Sequence, residues 1–216
     1  MSERITEQVP LLSIRDLTVA FRTQEGLREV LHGVSFDVMP GETVAIVGES
    51  GSGKSTTATA IVNLLPGTGQ VTAGSITLEG RELTTLNRRE IEAVRGRDIG
   101  FLPQDPMSNL NPVWSIGFQV KEAIRANGIA QGRDAAKART VEVLQQAGLA
   151  DAEKRLHQFP HQFSGGMRQR ALIGMGLAAD PKLLIADEPT SALDVTVQRC
   201  LLYTSDAADE EDSVKL

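Results

Sequence analysis

The chain has 216 residues, 41% of them hydrophobic and only 4% aromatic, which suits one sizeable core with an inserted subdomain. Its formal charge is −6, but residues 200–216 carry Asp206, Asp209, Glu210, Glu211 and Asp212 against Lys215, so the chain before them is close to neutral. That balance, with no clustered basic face, excludes a protein held on nucleic acid or anionic lipid by charge alone.

The only cysteine, Cys200, allows no internal disulfide and no metal-ligand spacing, which points to a reducing compartment, the cytoplasm. MSERITEQVPLL lacks a basic stretch followed by an apolar core. Runs such as ALIGMGLAA fall far short of a bilayer span, so membrane contact is expected only through a partner.

In chain order, LLSIRDLTVAF and EVLHGVSFDV alternate apolar and polar residues around the turn-like TQEG, as half-buried antiparallel strands do. VTAGSITLEG reads as another such strand pair. GETVAIVGES and KLLIADEP each carry a continuous apolar core, the pattern of strands buried on both faces, and are assigned to a central parallel sheet. Between them SIGFQVKEAIRANG and RDAAKARTVEVLQQAG have helical spacing, so roughly Asp105 to Pro160 reads as an inserted helical lobe.

GESGSGKS, Gly48 to Ser55, satisfies GxxxxGK[ST] directly after an expected strand and before the helix-like STTATAIVNLL. Glycines let such a loop aim consecutive N–H groups at phosphate oxygens, and the helix adds its positive end. Lys54 is expected to reach the β- and γ-phosphates and Ser55 to hold Mg²⁺. LLIADEP delivers Asp187 and Glu188 to the end of a buried strand, where Asp187 would hold Mg²⁺ through water and Glu188 would orient or deprotonate an attacking water. FSGGMRQR opens a further helix with Ser164, Gly165 and Gly166, a second anion-binding helix start that one nucleotide does not need. A head-to-tail dimer with ATP at the seam resolves the surplus.

Taken together, GESGSGKS, LPQDP, FSGGMRQR and LLIADEPTSALD resemble the Walker A, Q-loop, signature, Walker B and D-loop series of ABC-transporter ATPases, over about Leu11 to Gln198. PQDPMSNLNPVWSIGFQV and HQFPHQFSGGMRQRALI are most similar to the ATPase subunits of dipeptide, oligopeptide and glutathione importers. The resemblance implies an α/β P-loop NTPase core with an N-terminal antiparallel β-subdomain and an inserted α-helical subdomain. It places the ATPase domain over 1–198, with the helical subdomain over about 105–180. It implies nucleotide contacts at Gly48, Ser50, Gly51, Ser52, Gly53, Lys54, Ser55 and Thr56. It further implies that Ser164, Gly165 and Gly166 face the γ-phosphate of a partner's ATP, that Asp194 joins the two sites, and that Gln104 senses Mg²⁺ and the attacking water. Phe21 would stack on adenine, with a core role as the competing reading. Implied partners are a second ATPase subunit, identical or a sister, and transmembrane permease subunits, with the protein peripheral on the cytoplasmic face of the inner membrane. No nucleic acid is implied.

His32, His157 and His161 all precede Asp187, so none corresponds to the family's switch histidine, and the last two, lacking a third ligand at suitable spacing, read as lobe and loop residues. Residues 199–216 lack apolar alternation and read as a non-homologous acidic tail. CLLYTSDAADE resembles a translation of library-adapter DNA, with a frameshift or truncation as the competing reading. Two functions therefore stand: an importer ATPase, or a nucleotide-binding remnant without efficient hydrolysis.

Overall fold

The computed structural model describes residues 9–105 and 109–187. Its chain falls into two compact units, Met1–Arg95 and Gly96–Leu216.

In the first unit, β1 (Leu12–Thr23) and β2 (Gly26–Val38) form a hairpin, and β1 also pairs antiparallel with β3 (Gly69–Leu78), which leads into the two-residue β4 (Arg81–Glu82). The buried residues of β1 change parity, from Leu12 and Ile14 to Leu17 and Val19. In a strand of period two, such a change would send the second pair to the opposite face. A bulge at Asp16, with φ 48, absorbs the extra residue, and the register slips there against both neighbours. The Asp16 N–H leaves the ladder and donates to Ser35 Oγ at 2.8 Å.

VTAGSITLEG is one strand rather than the expected strand pair. Gly74, φ +87, lies over the bulge, where a Cβ would meet the carbonyl oxygens of Asp16 and Arg15. The reversal comes later, at Glu79 and Gly80, both with positive φ as a tight hairpin turn requires.

Among the described residues the unit also holds two helices, α1 (Lys54–Ile61) and α2 (Arg88–Val94). Asn87 and Glu90 form a capping box at the start of α2. At its end, Arg95 donates from Nε to Val62 O and from Nη2 to Asn63 O, both at 2.6 Å. It thereby covers carbonyls that α1 leaves without intrahelical donors, with the charge sign that its dipole favours.

The expectation that TVAIV forms a buried strand is not met. Residues 43–47 carry no strand, and Val44, Ile46 and Val47 are 40%, 48% and 92% exposed. A strand exists through its ladder, and among the described residues no strand pairs with this segment.

In the second unit, β5 (Ile99–Leu102) pairs in parallel with β6 (Leu183–Ala186), as expected for KLLIADEP. Among the described residues lie α3 (Ile116–Ala126), α4 (Arg133–Gln146), α5 (Ala152–Arg155) and α6 (Gly165–Gly176), with a 3₁₀ turn at Pro160–Gln162. Ser115 caps α3 by accepting from Phe118 N, and its Ile116, Val120 and Ile124, four residues apart, are fully buried. They join Val143, Leu144, Leu156, Phe163 and Ala171 in one cluster, which α6 separates from a smaller one around Leu102, Ile173 and Leu177. Gly100 makes the approach of α6 to β5 possible: a Cβ there would lie 2.5 Å from Gly176 O.

Candidate functional site

The phosphate-type loop belongs to the first unit. Ser52 N–H turns back to Glu49 O at 3.2 Å, Gly51 has φ +82, and Gly53, φ +96, is the left-handed N-cap of α1. The first helical bond runs from Thr57 N–H to Gly53 O at 2.8 Å. No side chain caps this helix and its first turn holds no acid, so its leading N–H groups and positive dipole end are not claimed by a built-in carboxylate. A Cβ on Gly48 would lie 2.8 Å from Ser52 Oγ, and one on Gly53 would enter Leu31 Cδ2. At Gly53 the left-handed φ and the buried Leu31 side chain both call for glycine, whereas at Gly48 only the Ser52 hydroxyl would have to turn aside. Lys54 Nζ donates to Gly48 O at 2.8 Å and Glu49 O at 2.7 Å, which pins the ammonium over the loop. Two of its three donors are so engaged. Ser55 and Thr56 follow in the first turn of α1.

Leu31 is a participant that the sequence motifs do not mark. It is 3% exposed in a stretch of β2 whose neighbours are exposed, and its side chain packs on Gly53. Leu31 and Val38, the buried residues of β2, differ in parity, so alternation along the strand does not single Leu31 out.

The second unit holds the remaining candidates. Because β5 and β6 run in parallel with Leu102 opposite Ala186, both chains leave the sheet at the same edge, and Asp187 N–H bonds Leu102 O at 2.9 Å. Gln104, exposed, lies two residues past β5 and Asp187, half-buried, directly follows β6, so the topology brings an amide and a carboxylate to one C-terminal sheet edge. Their oxygens, like the Ser55 hydroxyl, are hard donors of the kind that Mg²⁺ prefers. Glu188 and Asp194 lie outside the described residues, as does the acidic tail.

The second glycine-opened helix start is α6. Ser164 is its N-cap, with Oγ accepting from Met167 N at 3.4 Å and its carbonyl accepting from Arg168 N at 3.0 Å. Gly165 and Gly166 have no positive φ, and a Cβ on either would point into open space. Neither backbone conformation nor packing asks for glycine, although each costs roughly 1 kcal/mol against alanine inside a helix. What the pair provides is a bare backbone over N–H groups at a positive helix end, with no acid in the first turn.

Phe21 is half-buried on β1, its ring lying across Gly69 of β3, where a Cβ would come within 2.7 Å of it. His157 is exposed and His161 stacks on Phe159 with centroids 5.7 Å apart. Among the described residues no His, Cys, Asp and Glu cluster could hold a metal by itself, and no helix is long and apolar enough to cross a membrane.

The ABC transporter family model matches residues 31–191. The oligopeptide transport ATP-binding protein OppD of Bacillus subtilis (strain 168) is 50% identical over 193 residues, 89% of this chain and 54% of that protein. The peptidoglycan transport ATP-binding protein YejF of Agrobacterium fabrum is 50% identical over 198 residues, 91% of this chain and 36% of that protein. The chain thus spans about half the length, or less, of these relatives. Among solved structures, a dimeric ATP-binding cassette in a post-hydrolysis state, bound to ADP and Pi, superposes with a TM-score of 0.81 at 28% identity, covering 90% of this chain and 83% of that one. With the sequence motifs, the α/β fold and a family match over most of the length, the chain belongs to the ABC transporter family.

Proposed function

We propose that this chain is the ATP-binding and ATP-hydrolysing part of a membrane importer for peptides or related solutes. The observation that carries the reading is the pair of glycine-opened, acid-free helix starts at Gly53 and Gly165 on one chain. The first would cradle ATP through the Gly48–Thr56 loop, with Lys54 on the β- and γ-phosphates. The second, led by Ser164, would face the γ-phosphate of ATP held by another ATPase subunit in a head-to-tail dimer, and Asp194 would link the two sites. The dimeric cassette bound to ADP and Pi supports that arrangement, and the oligopeptide and peptidoglycan transport names of the relatives support the solute class.

Ser55, Gln104 and Asp187 would hold Mg²⁺, which when bound neutralises charge developing on the phosphates. Glu188 would orient the attacking water and take its proton as the bond to the terminal phosphoryl group breaks, releasing ADP and phosphate. Phe21 would lie against the adenine. In this reading residues 1–198 form the ATPase domain, a helical subdomain over about 105–180 docks permease subunits, and the protein is peripheral at the cytoplasmic membrane face.

Nucleotide binding and turnover, measured side by side, test the reading. Lys54→Ala is expected to weaken ATP binding at least about hundredfold, the scale of losing the cation from a phosphate site. Glu188→Gln should bind ATP normally and accumulate as an ATP-bound dimer. Hydrolysis by Glu188→Gln at the parental rate would overturn the role given to Glu188, and a parent that binds no ATP would overturn the function.

A second reading, nucleotide binding without efficient hydrolysis, draws on the exposed 43–47 segment: among the described residues, no strand pairs with the run leading into the phosphate loop. ATP affinity with negligible steady-state turnover in the parent chain would favour it.

A further inference from the structure

We propose that Arg168 is a positioning residue for the second phosphate-facing helix start, fixing the turn that presents Ser164, Gly165 and Gly166; this rests on the reading of that turn as the contact to a partner's ATP. Arg168 Nε donates to Pro160 O at 2.7 Å. The same carbonyl accepts the Phe163 N–H at 3.1 Å, closing the 3₁₀ turn that precedes α6. A guanidinium in the first turn of a helix opposes the helix dipole. Arg168 is half-buried there.

A charge-assisted bond to a backbone carbonyl is among the stronger hydrogen bonds that a side chain makes. The rest of the turn is held from within or from below. Gln162 Oε1 accepts from Phe159 N at 2.8 Å, and Phe163, 2% exposed, sits in the helical core. The Arg168 bond instead joins the turn to α6 itself, so it sets the angle at which Ser164 enters the helix. Arg168 contacts no nucleotide in this assignment and acts through Pro160.

The test separates the two phosphate-facing helix starts in one sample. In protein carrying Glu188→Gln, ATP binding is measured by titration and ATP-driven dimerisation by light scattering, with and without Arg168→Met. ATP affinity of the single subunit is expected to stay within about twofold, because the Lys54 loop is untouched. The ATP concentration needed for dimerisation is expected to rise about tenfold, the scale of one lost charge-assisted hydrogen bond. Arg168→Lys, which keeps a cationic donor, should fall between, near threefold. Amide exchange over 163–167 should quicken in the same order.

Dimerisation and exchange unchanged in Arg168→Met would overturn the proposal. Should Arg168→Met fail to fold, Arg168→Lys decides by the same two measurements, parental behaviour in both overturning it. A Glu188→Gln protein that binds ATP yet stays monomeric would instead remove the reading on which the proposal rests, and that failure shows before any Arg168 substitution is made.

Discussion

The two glycine-opened helix starts look alike in sequence and differ in what demands their glycines. At α1, Gly53 sits at φ +96 and presses on Leu31, so the fold itself requires a residue without a side chain. At α6, Gly165 and Gly166 have ordinary φ and open space around them, so the fold would accept alanine. Where structure does not explain a helix-weakening residue, its reason is sought in what must approach from outside. By that criterion the α6 start is the clearer mark of a ligand, and the α1 loop is the more rigidly specified object.

Breaking the first member of the pair should have the largest effect. Gly53→Ala forces alanine into the left-handed region and a methyl group into Leu31, at a combined cost of about 3 kcal/mol. ATP affinity should drop about hundredfold and the melting temperature should fall, both readable in one nucleotide-dependent thermal shift experiment. Parental stability and affinity would mean that the loop adapts, and the contrast would lose its structural half.

Gly166→Ala sharpens the other half because fold and function should move in opposite directions. Helix propensity predicts a gain of up to about 1 kcal/mol in stability. ATP-driven dimerisation should weaken about tenfold, as a methyl group comes to stand over the N–H groups that face the partner's phosphate. Denaturant melts and light scattering on the same preparation check both signs. A stabilised variant that dimerises normally would show that the open face at Gly166 is not used.

The smallest effect concerns the sheet of the first unit. Burial pushes the Glu82 carboxyl up, but hydrogen bonds from the Thr84 hydroxyl and from the Thr84, Ile76 and Leu83 N–H groups outweigh it, leaving the group below the usual glutamate range. A depressed folded-state pKa stabilises the native form above the unfolded value and loses that contribution as pH falls through the folded one. Stability of the parent should therefore decline below about pH 4.3, the ordinary glutamate value. Glu82→Gln should lack that part of the decline while being less stable at neutral pH. Parallel acid titrations of parent and variant would sink the assignment if the two curves kept the same shape.

Much of the candidate site was legible as sequence because its parts are local. GESGSGKS builds its loop from residues within one turn of each other, Ser164 caps the helix that follows it, and parallel pairing of two short apolar runs suffices to bring Gln104 and Asp187 to one edge. Reading failed where a residue's state depends on distant chain. TVAIV has the composition of a buried strand, yet 43–47 is exposed and no strand among the described residues pairs with it. VTAGSITLEG has the pattern of a strand pair, yet Gly74 lies over a bulge within one strand, a distinction made by the backbone of Arg15 and Asp16 nearly sixty residues earlier.

By itself the sequence determined the family, the helix starts, the caps and the residue types offered to phosphate and Mg²⁺, since each follows from spacing within a few residues. Tertiary structure alone decided that Leu31 lies beneath the phosphate loop, that Arg168 is tied to Pro160, and that β5 and α6 meet at Gly100 and Gly176. Those facts rest on packing and on hydrogen bonds to backbone carbonyls. Any residue can present such a carbonyl, so no residue type in the sequence announces it.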